Sequence, residues 1–286
     1  MTGMLAKRFG RKLGFYVVLV LLCIFAVFPA AWMVITAFKR NRDLYNPSNN
    51  PFLFNLPPTF SHIEYLFTST NYPIFLWNSC FIGLIVVAIT LVLSVPAAYS
   101  LSRLMGHWGE RSSIAIFLVY LIPPTLLFIP LYEIVTDLGA ADTVWSLVLV
   151  YPTITVPFCT WLLLSFFRSI PREVEEAALT DGWSRVGVFF RVALPLAVPG
   201  IATCIVFAFA LSLSDYIYAA VFVSSTASRT VSAGVPTELI RGDIYYWQAL
   251  MAATAIVGIP LAIVYGLLFD WLVKGFQSDV SRPGQG

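Results

Sequence analysis

Arg168-Ser-Ile-Pro-Arg-Glu-Val-Glu-Glu-Ala-Ala-Leu-Thr-Asp-Gly-Trp-Ser-Arg-Val-Gly-Val-Phe-Phe-Arg-Val-Ala-Leu-Pro195 is the most polar long stretch of this 286-residue chain. It stands between two apolar runs, 143–167 and 195–223, the second interrupted by Asp215. Pro171 suits a first helical position, Glu173, Glu175 and Glu176 complement a positive helix N-terminus, and Gly182 supplies a stop. The spacing predicts a helix over 171–181 and a glycine bend. A second helix follows, capped by Ser184 and reaching Leu194, where Pro195 kinks the chain into the next run. Val174, Ala177, Ala178 and Asp181 share one face of the first helix, and its small alanines let a partner approach the backbone closely.

Outward from this loop the chain is apolar almost throughout. Of its residues 59% are hydrophobic and 11% charged, against roughly 45–50% and 25% in a soluble domain, and the mean hydropathy is +0.83. Too few polar side chains remain to cover a water-soluble surface, so the apolar surplus faces lipid. A bilayer core of about 30 Å needs roughly 20 apolar residues as helix, because lipid offers the backbone no partners. Runs of this kind occur at 13–38, 73–102, 112–132, 143–167, 195–223 and 244–269. The expected fold is therefore all-α, a polytopic membrane protein with six transmembrane helices. It has a tail over 1–12, a membrane domain over 13–271 carrying the polar loop 168–195, and a tail over 272–286. The first run is too long for a secretory signal and lacks its cleavage site. Prolines within the runs, among them Pro123, Pro124, Pro130, Pro157 and Pro199, predict kinks.

An even number of spans places both termini on one side, and lysine and arginine decide which. Twelve basic residues fall on the terminal side: Lys7, Arg8, Arg11, Lys12, Arg103, Arg111, Arg168, Arg172, Arg185, Arg191, Lys274 and Arg282. Five fall opposite: Lys39, Arg40, Arg42, Arg229 and Arg241. The bias puts both termini in the cytoplasm, although Lys39, Arg40 and Arg42 sit against it. The outer segment from Lys39 to Tyr72, rich in Asn-Pro and Pro-Pro turns, reads as an ordered loop.

Several function classes drop out. A net charge of +2 without a basic stripe excludes nucleic-acid binding. Cys23, Cys80, Cys159 and Cys204 are too dispersed for a zinc site or a disulfide framework and read as small apolar core residues. His62 and His107 lack carboxylates at metal-ligand spacing. There is no Ser-His-Asp or Cys-His set and no G-x-x-x-x-G-K-[ST] phosphate loop, so no catalytic residue, metal or bound cofactor is expected.

Glu176, Ala177 and Ala178, then Gly182 after three residues, Val192 after nine more, and the closing Leu194 and Pro195 resemble the cytoplasmic signature of the inner-membrane permease subunits of bacterial ATP-binding-cassette (ABC) importers. By average residue usage such a seven-place match arises on the order of once in 10⁸ positions. Shorter stretches resemble the carbohydrate branch, the maltose-type permeases: Ala37-Phe38-Lys39, Asn78-Ser79, the run from Ala97 to Arg103, and Ile129-Pro130-Leu131-Tyr132. The chain departs from that pattern at Leu213-Ser214-Asp215, where relatives often carry Trp-Asn-Glu, and in its C-terminal tail. The resemblance implies the type I importer fold in a bacterial inner membrane and makes the 171–181 helix a coupling helix. Glu176, Ala177, Ala178, Asp181, Gly182, Val192, Leu194 and Pro195 would then couple this chain to a separate ATPase. It further implies a second, non-identical six-span permease, two ATPase copies that use ATP and Mg, a solute-binding protein and a sugar substrate.

Asp215 is the acid expected at membrane depth, where a charge costs roughly 2.5–3.5 kcal/mol. With Tyr216 and Ser212 beside it, and Asn78 and Tyr120 as weaker candidates, it offers hydroxyl acceptors and aromatic faces along a sugar path. An interhelical ion pair or a gate contact of Asp215 is the competing reading. Other substrates left open are a polyol or glycerol phosphodiester, and the rival class is an ion-coupled secondary transporter in which Asp215 titrates.

Overall fold

The computed structural model describes the backbone of residues 2–280 and the side chains of 12–269 apart from residue 110. Of the expected tails, the side chains of 2–11 and 270–280 and all of residues 1 and 281–286 lie outside the described residues. The elements run α1 (Thr2–Phe38), α2 (Asn41–Leu44), α3 (Ser61–Ser69), α4 (Tyr72–Arg103), α5 (Gly106–Tyr120), α6 (Pro124–Asp137), α7 (Val144–Val150), α8 (Pro152–Ser169), α9 (Arg172–Thr180), α10 (Arg185–Val188), a π turn (Phe189–Ala193), α11 (Leu194–Leu196), α12 (Val198–Ser214), α13 (Ile217–Phe222), α14 (Val231–Leu239), β1 (Ile240–Arg241), β2 (Ile244–Tyr245) and α15 (Trp247–Val280).

Among the described residues, Lys12–Phe38, Tyr72–Arg103, Val144–Ser169 and Trp247–Phe269 are long and apolar enough to cross a membrane. Two bent pairs raise the number to six if each is one span: Gly106–Tyr120 with Pro124–Asp137, at 90°, and Arg185–Leu196 with Val198–Ser214, at 72°. The third run expected at 112–132 is broken at two of the prolines that predict a kink. Pro123 and Pro124 withhold two successive N–H groups, and the chain restarts as α6 at Pro124, with Pro123 as its N-cap. The fifth run, expected over 195–223, breaks at Asp215 and Tyr216 between α12 and α13.

The chain divides into two compact units. One comprises residues through Thr70 together with Glu238–Gly258. Here the apolar side chains of α1 from Leu13 to Phe28 are exposed along the helix, Phe25 by 80%, a surface suited to lipid or to another membrane helix. The loop after α1 is organised around Asp43. Its Oδ1 accepts from the amides of Asn49 (2.9 Å) and Asn55 (2.8 Å), and its Oδ2 from the Asn55 N–H (3.1 Å). Lys39 Nζ lies 3.7 Å from Asp43 Oδ1 and donates to the Asn50 carbonyl at 3.0 Å, and both charged side chains are buried. β1 and β2 form a short antiparallel hairpin, Ile240 opposite Tyr245, turned at Gly242 with φ +58°.

The other unit comprises Asn71–Thr237 and the chain from Ile259. α4, α8 and α12 pack together around two apolar clusters. One joins Ile82, Val86, Leu147, Tyr151, Tyr218 and Phe222, the other Val95, Tyr99, Cys159, Phe167, Ala193 and Cys204. Packing is close: a Cβ on Gly200 would stand 2.6 Å from the Phe166 ring. Hydroxyls of Thr90 and Thr155 meet at 2.6 Å between α4 and α8. Cys159 and Cys204 are buried core residues, whereas Cys80 is half-buried and Cys23 exposed, because Cys23 lies on the uncovered face of α1. Between α6 and α7, Asp142 accepts from the N–H groups of Ser224 (2.7 Å) and Ser225 (2.8 Å). The Ser225 N–H bond is the main cause holding this carboxyl below its ordinary value.

Burial acts to raise the Asp43 carboxyl, but the Asn55 amide, the N–H groups of Leu56 and Asn55 and the Lys39 ammonium outweigh it and hold it below 3.8. Such a carboxyl stabilises the folded loop above its unfolded pKa and loses that contribution as pH falls through the folded one. Hydrogen exchange, corrected for its intrinsic rate, should therefore keep the Asn55 and Leu56 amides protected from neutral pH to about pH 4 and release them below it. Asp43→Asn should release them at neutral pH, and unchanged protection in that variant would remove Asp43 from the centre of the loop.

Candidate functional site

The polar loop folds as a clamped helix followed by a capped turn. Pro171 stands just outside α9 as its N-cap, with φ −58° and ψ +133°, and its carbonyl accepts from the Val174 N–H. The helix therefore begins one residue later than the sequence suggests. It ends in a Schellman motif: the Gly182 N–H bonds the Leu179 carbonyl (3.1 Å), the Trp183 N–H bonds that of Ala178 (3.1 Å), and Gly182 has φ +90°. The inner face is set by Glu175. Its Oε1 accepts from Arg103 Nε at 2.7 Å and its Oε2 from the Tyr99 hydroxyl at 3.0 Å, while Arg103 also donates to the Ile170 carbonyl at 2.6 Å. Tyr99 and Arg103, one turn apart near the end of α4, thus hold both α9 and the residue that leads into it.

Facing outward are Val174, Glu176, Ala177 and Asp181, all exposed, while Ala178 and Leu179 are half-buried. The face expected to meet a partner is thereby narrowed, because Ala178 turns partly toward its own chain. Beyond the bend Ser184 Oγ accepts from the Gly187 N–H at 3.1 Å. Arg191 lies 5.0 Å from the Trp183 ring centroid, a cation–π contact. The second helix is not the single α-helix expected from Ser184 to Leu194. It is a four-residue α10, a π turn and α11, in which the Leu194 N–H reaches the Phe189 carbonyl. Pro195 cannot continue an i→i−4 ladder, and a π turn accommodates the loss. The bend falls at Ala197, ahead of Pro199, and not at Pro195. Val192 and Leu194 are half-buried and Pro195 is exposed. Two clefts flank α9, one of about 460 Å³ lined by Ser102, Arg168, Arg172 and Glu173, the other of about 210 Å³ lined by Arg103, Glu176 and Arg185.

The side chains expected along a sugar path are mostly engaged in holding the fold. Asp215 Oδ2 accepts from the N–H groups of Tyr218 (3.0 Å) and Ala219 (3.2 Å) and from the Tyr151 hydroxyl (3.1 Å), so it caps α13 and ties it to α7's end. Ser212 is buried and bonds back to the Ala208 carbonyl. Asn78 donates to the carbonyls of Ala227 (2.8 Å) and Arg229 (2.9 Å), pinning that loop to α4. Tyr120 packs against Phe158, their centroids 5.2 Å apart, and Tyr216 alone of the set is largely exposed, at 53%. Among the described residues no group of three His, Cys, Asp or Glu could hold a metal ion.

The family described as the binding-protein-dependent transport system inner membrane component matches residues 1–278. The chain belongs to that family. It is 32% identical over 274 residues to the inner membrane ABC transporter permease protein YcjP of Escherichia coli (strain K12), covering 95% of this chain and 97% of that protein. It is 33% identical over 271 residues to the sulfoquinovosyl glycerol transport system permease protein SmoH of Agrobacterium fabrum, covering 94% and 93%. In fold it resembles a chain of a bacterial ABC transporter involved in the import of the acidic polysaccharide alginate, with a TM-score of 0.74, 20% identity, and coverage of 91% and 95%.

As an inner-membrane permease subunit of an ABC transporter the chain is a transport component and not an enzyme. Glu175, Tyr99 and Arg103 went unread in the sequence as a unit. The available signal was weak: Glu175 is one of two neighbouring glutamates, and only the 3.6-residue period separates the inward one from the outward one. Glu175→Ala leaves Arg103 buried with a single carbonyl, a loss of about 3–5 kcal/mol for a broken buried pair. Exposed Glu176→Ala should stay within about 0.5 kcal/mol. Thermal unfolding of the purified complex, with trypsin cleavage at Arg172, measures both, and equal effects would contradict the clamp.

Proposed function

We propose that the chain is the membrane-spanning subunit of an ATP-driven, binding-protein-dependent importer for a sugar or oligosaccharide, coupled to a separate ATPase through α9 and the turn that follows. The observation that carries this reading is the clamp. α9 presents Val174, Glu176, Ala177 and Asp181 outward while Glu175 fastens its back to Arg103 and Tyr99. A force applied to the outer face therefore passes into α4 through a charge-assisted bond of 2.7 Å.

In this reading six spans carry the loop 168–195 and both tails, 1–12 and 272–286, on the cytoplasmic side of the inner membrane. A second, non-identical permease completes the path, two ATPase copies bind ATP and Mg, and a solute-binding protein delivers the sugar from outside. ATP closes the ATPase pair, the coupling helices move together, and the cavity between the permeases turns outward. The chain itself holds no cofactor. The relative named for sulfoquinovosyl glycerol extends the substrate class to glycerol-linked sugars that carry an anion.

Gly182→Pro tests the coupling. Proline fixes φ near −65°, which the φ of +90° at this position forbids, and it deletes the N–H that bonds Leu179. In proteoliposomes of the co-expressed complex, the wild type should hydrolyse ATP faster with binding protein and sugar present and take up radiolabelled maltose, trehalose or sulfoquinovosyl glycerol. The variant should lose uptake. Uptake that persists without ATP and survives the substitution would instead establish an ion-coupled carrier.

A further inference from the structure

The unit formed by the chain through Thr70 and by Glu238–Gly258 contains a pocket that the coupling reading does not use. It has a volume of about 390 Å³ and is lined by Asn41, Tyr45, His62, Tyr65, Ile244, Tyr245, Tyr246, Gln248 and Ala249. Its size lies within the range of roughly 300–1,000 Å³ usual for small-molecule sites. Four tyrosines in one small cavity are the first signal. The rings of Tyr65 and Tyr246 stack at 5.7 Å with 16° between their planes, and the Tyr45 hydroxyl donates to the Tyr245 carbonyl at 3.4 Å. Trp247 follows directly and stacks on Tyr245 at 5.2 Å.

The second signal is independent of the aromatics. Gln248 is 2% exposed, and its Nε2 has no hydrogen-bond partner among the described residues. A buried amide N–H without an acceptor is destabilising, and native structures rarely retain one without a use. The third is charge. Among the lining residues only His62 can ionise near neutral pH. Burial pushes its imidazole down, against the opposing effect of the Lys39 carbonyl 3.1 Å from Nε2, so it is neutral at pH 7. An uncharged cavity lined by four tyrosines, Asn41 and Gln248 matches a group that is apolar on its faces and hydroxylated at its edge. A pyranose ring has that form.

We infer that this pocket is a carbohydrate subsite that receives one neutral sugar ring of the transported solute. The inference rests on the importer reading for its direction. Asn41–Tyr65 follows the first span and Ile244–Ala249 opens the last, which places the pocket on the side opposite the termini. The ring lies against tyrosine faces, and a ring or hydroxyl oxygen accepts from Gln248.

Saturation-transfer NMR on the complete complex in lipid nanodiscs, without ATP or binding protein, tests it. The probes are the methyl glycosides of glucose, galactose, mannose and N-acetylglucosamine. At least one should receive transfer in the wild type. Tyr246→Ala should weaken its binding about tenfold, as should Gln248→Leu, which removes the unpaired amide at similar volume and keeps the fold intact. Absence of transfer to all four probes overturns the inference, as does equal transfer in wild type and both variants, which puts the sugar elsewhere in the complex. Transfer seen in detergent and lost in nanodiscs overturns it in favour of a lipid headgroup. Because neither ATP nor uptake enters the measurement, a failure of the coupling reading leaves this result standing, and the reverse also holds.

Discussion

Hydrocarbon offers no partner to a backbone N–H or carbonyl, so every interruption of a helix within it must be repaired from inside the protein. This chain interrupts its helices often, and its buried polar side chains are largely spent on the repairs. Asp215 takes the N–H groups of Tyr218 and Ala219 where α12 gives way to α13. Ser232 Oγ donates to the Asp215 carbonyl at 2.6 Å, and Ser79 Oγ accepts from the Val231 N–H at 2.8 Å. Asn78 supplies two donors to the carbonyls of the loop before α14. The broken helices and the polar residues near the breaks are one design, in which each rare hydrophilic side chain answers a particular gap in a ladder.

The same economy governs the polar loop 168–195. An isolated nine-residue helix is marginal in water, and α9 gains its fixed position from Glu175, which uses both carboxylate oxygens on two side chains of α4. Arg103 adds the Ile170 carbonyl, so the entry to the helix is held together with its middle. Gly182 fixes the exit, since its φ of +90° closes the last turn and aims Trp183 away. Entry, body and exit are all determined, as the coupling role proposed for α9 requires: a loosely tethered helix would absorb a partner's movement as local motion.

Reading the sequence recovers those features that are set by composition or by one residue's intrinsic chemistry. The apolar runs follow from lipid thickness, the bend at Gly182 from backbone sterics, and the Ser184 cap from the hydroxyl's reach to the Gly187 N–H. What depends on tertiary context is not legible there. Glu175 and Glu176 are identical in type and adjacent, yet one is a buried anchor and the other is exposed. Asp215, Ser212 and Asn78 look like lining for a polar path because a hydrophilic residue in an apolar run suggests water. Their partners are backbone groups and, for Asp215, the Tyr151 hydroxyl, at positions the pattern does not mark. Similarly, Pro195 announces a kink, but the π turn absorbs its effect and moves the bend to Ala197.

Lys39 illustrates how such context alters the meaning of a charge. Counted along the chain, it argues with Arg40 and Arg42 against termini in the cytoplasm. In the fold its ammonium lies beside Asp43 and donates to the Asn50 carbonyl, while Arg40 Nε donates to the Pro57 carbonyl at 3.0 Å. In the segment between α14 and α15, Arg241 Nε donates to the Glu238 carbonyl. These cations have structural partners in the loops that contain them, which gives a reason for their presence on the minority side. The terminal-side cations Arg168, Arg172 and Arg185 instead line the clefts beside α9. A positive charge tied into its own loop and one that lines a cleft look alike in a tally, and the fold distinguishes them.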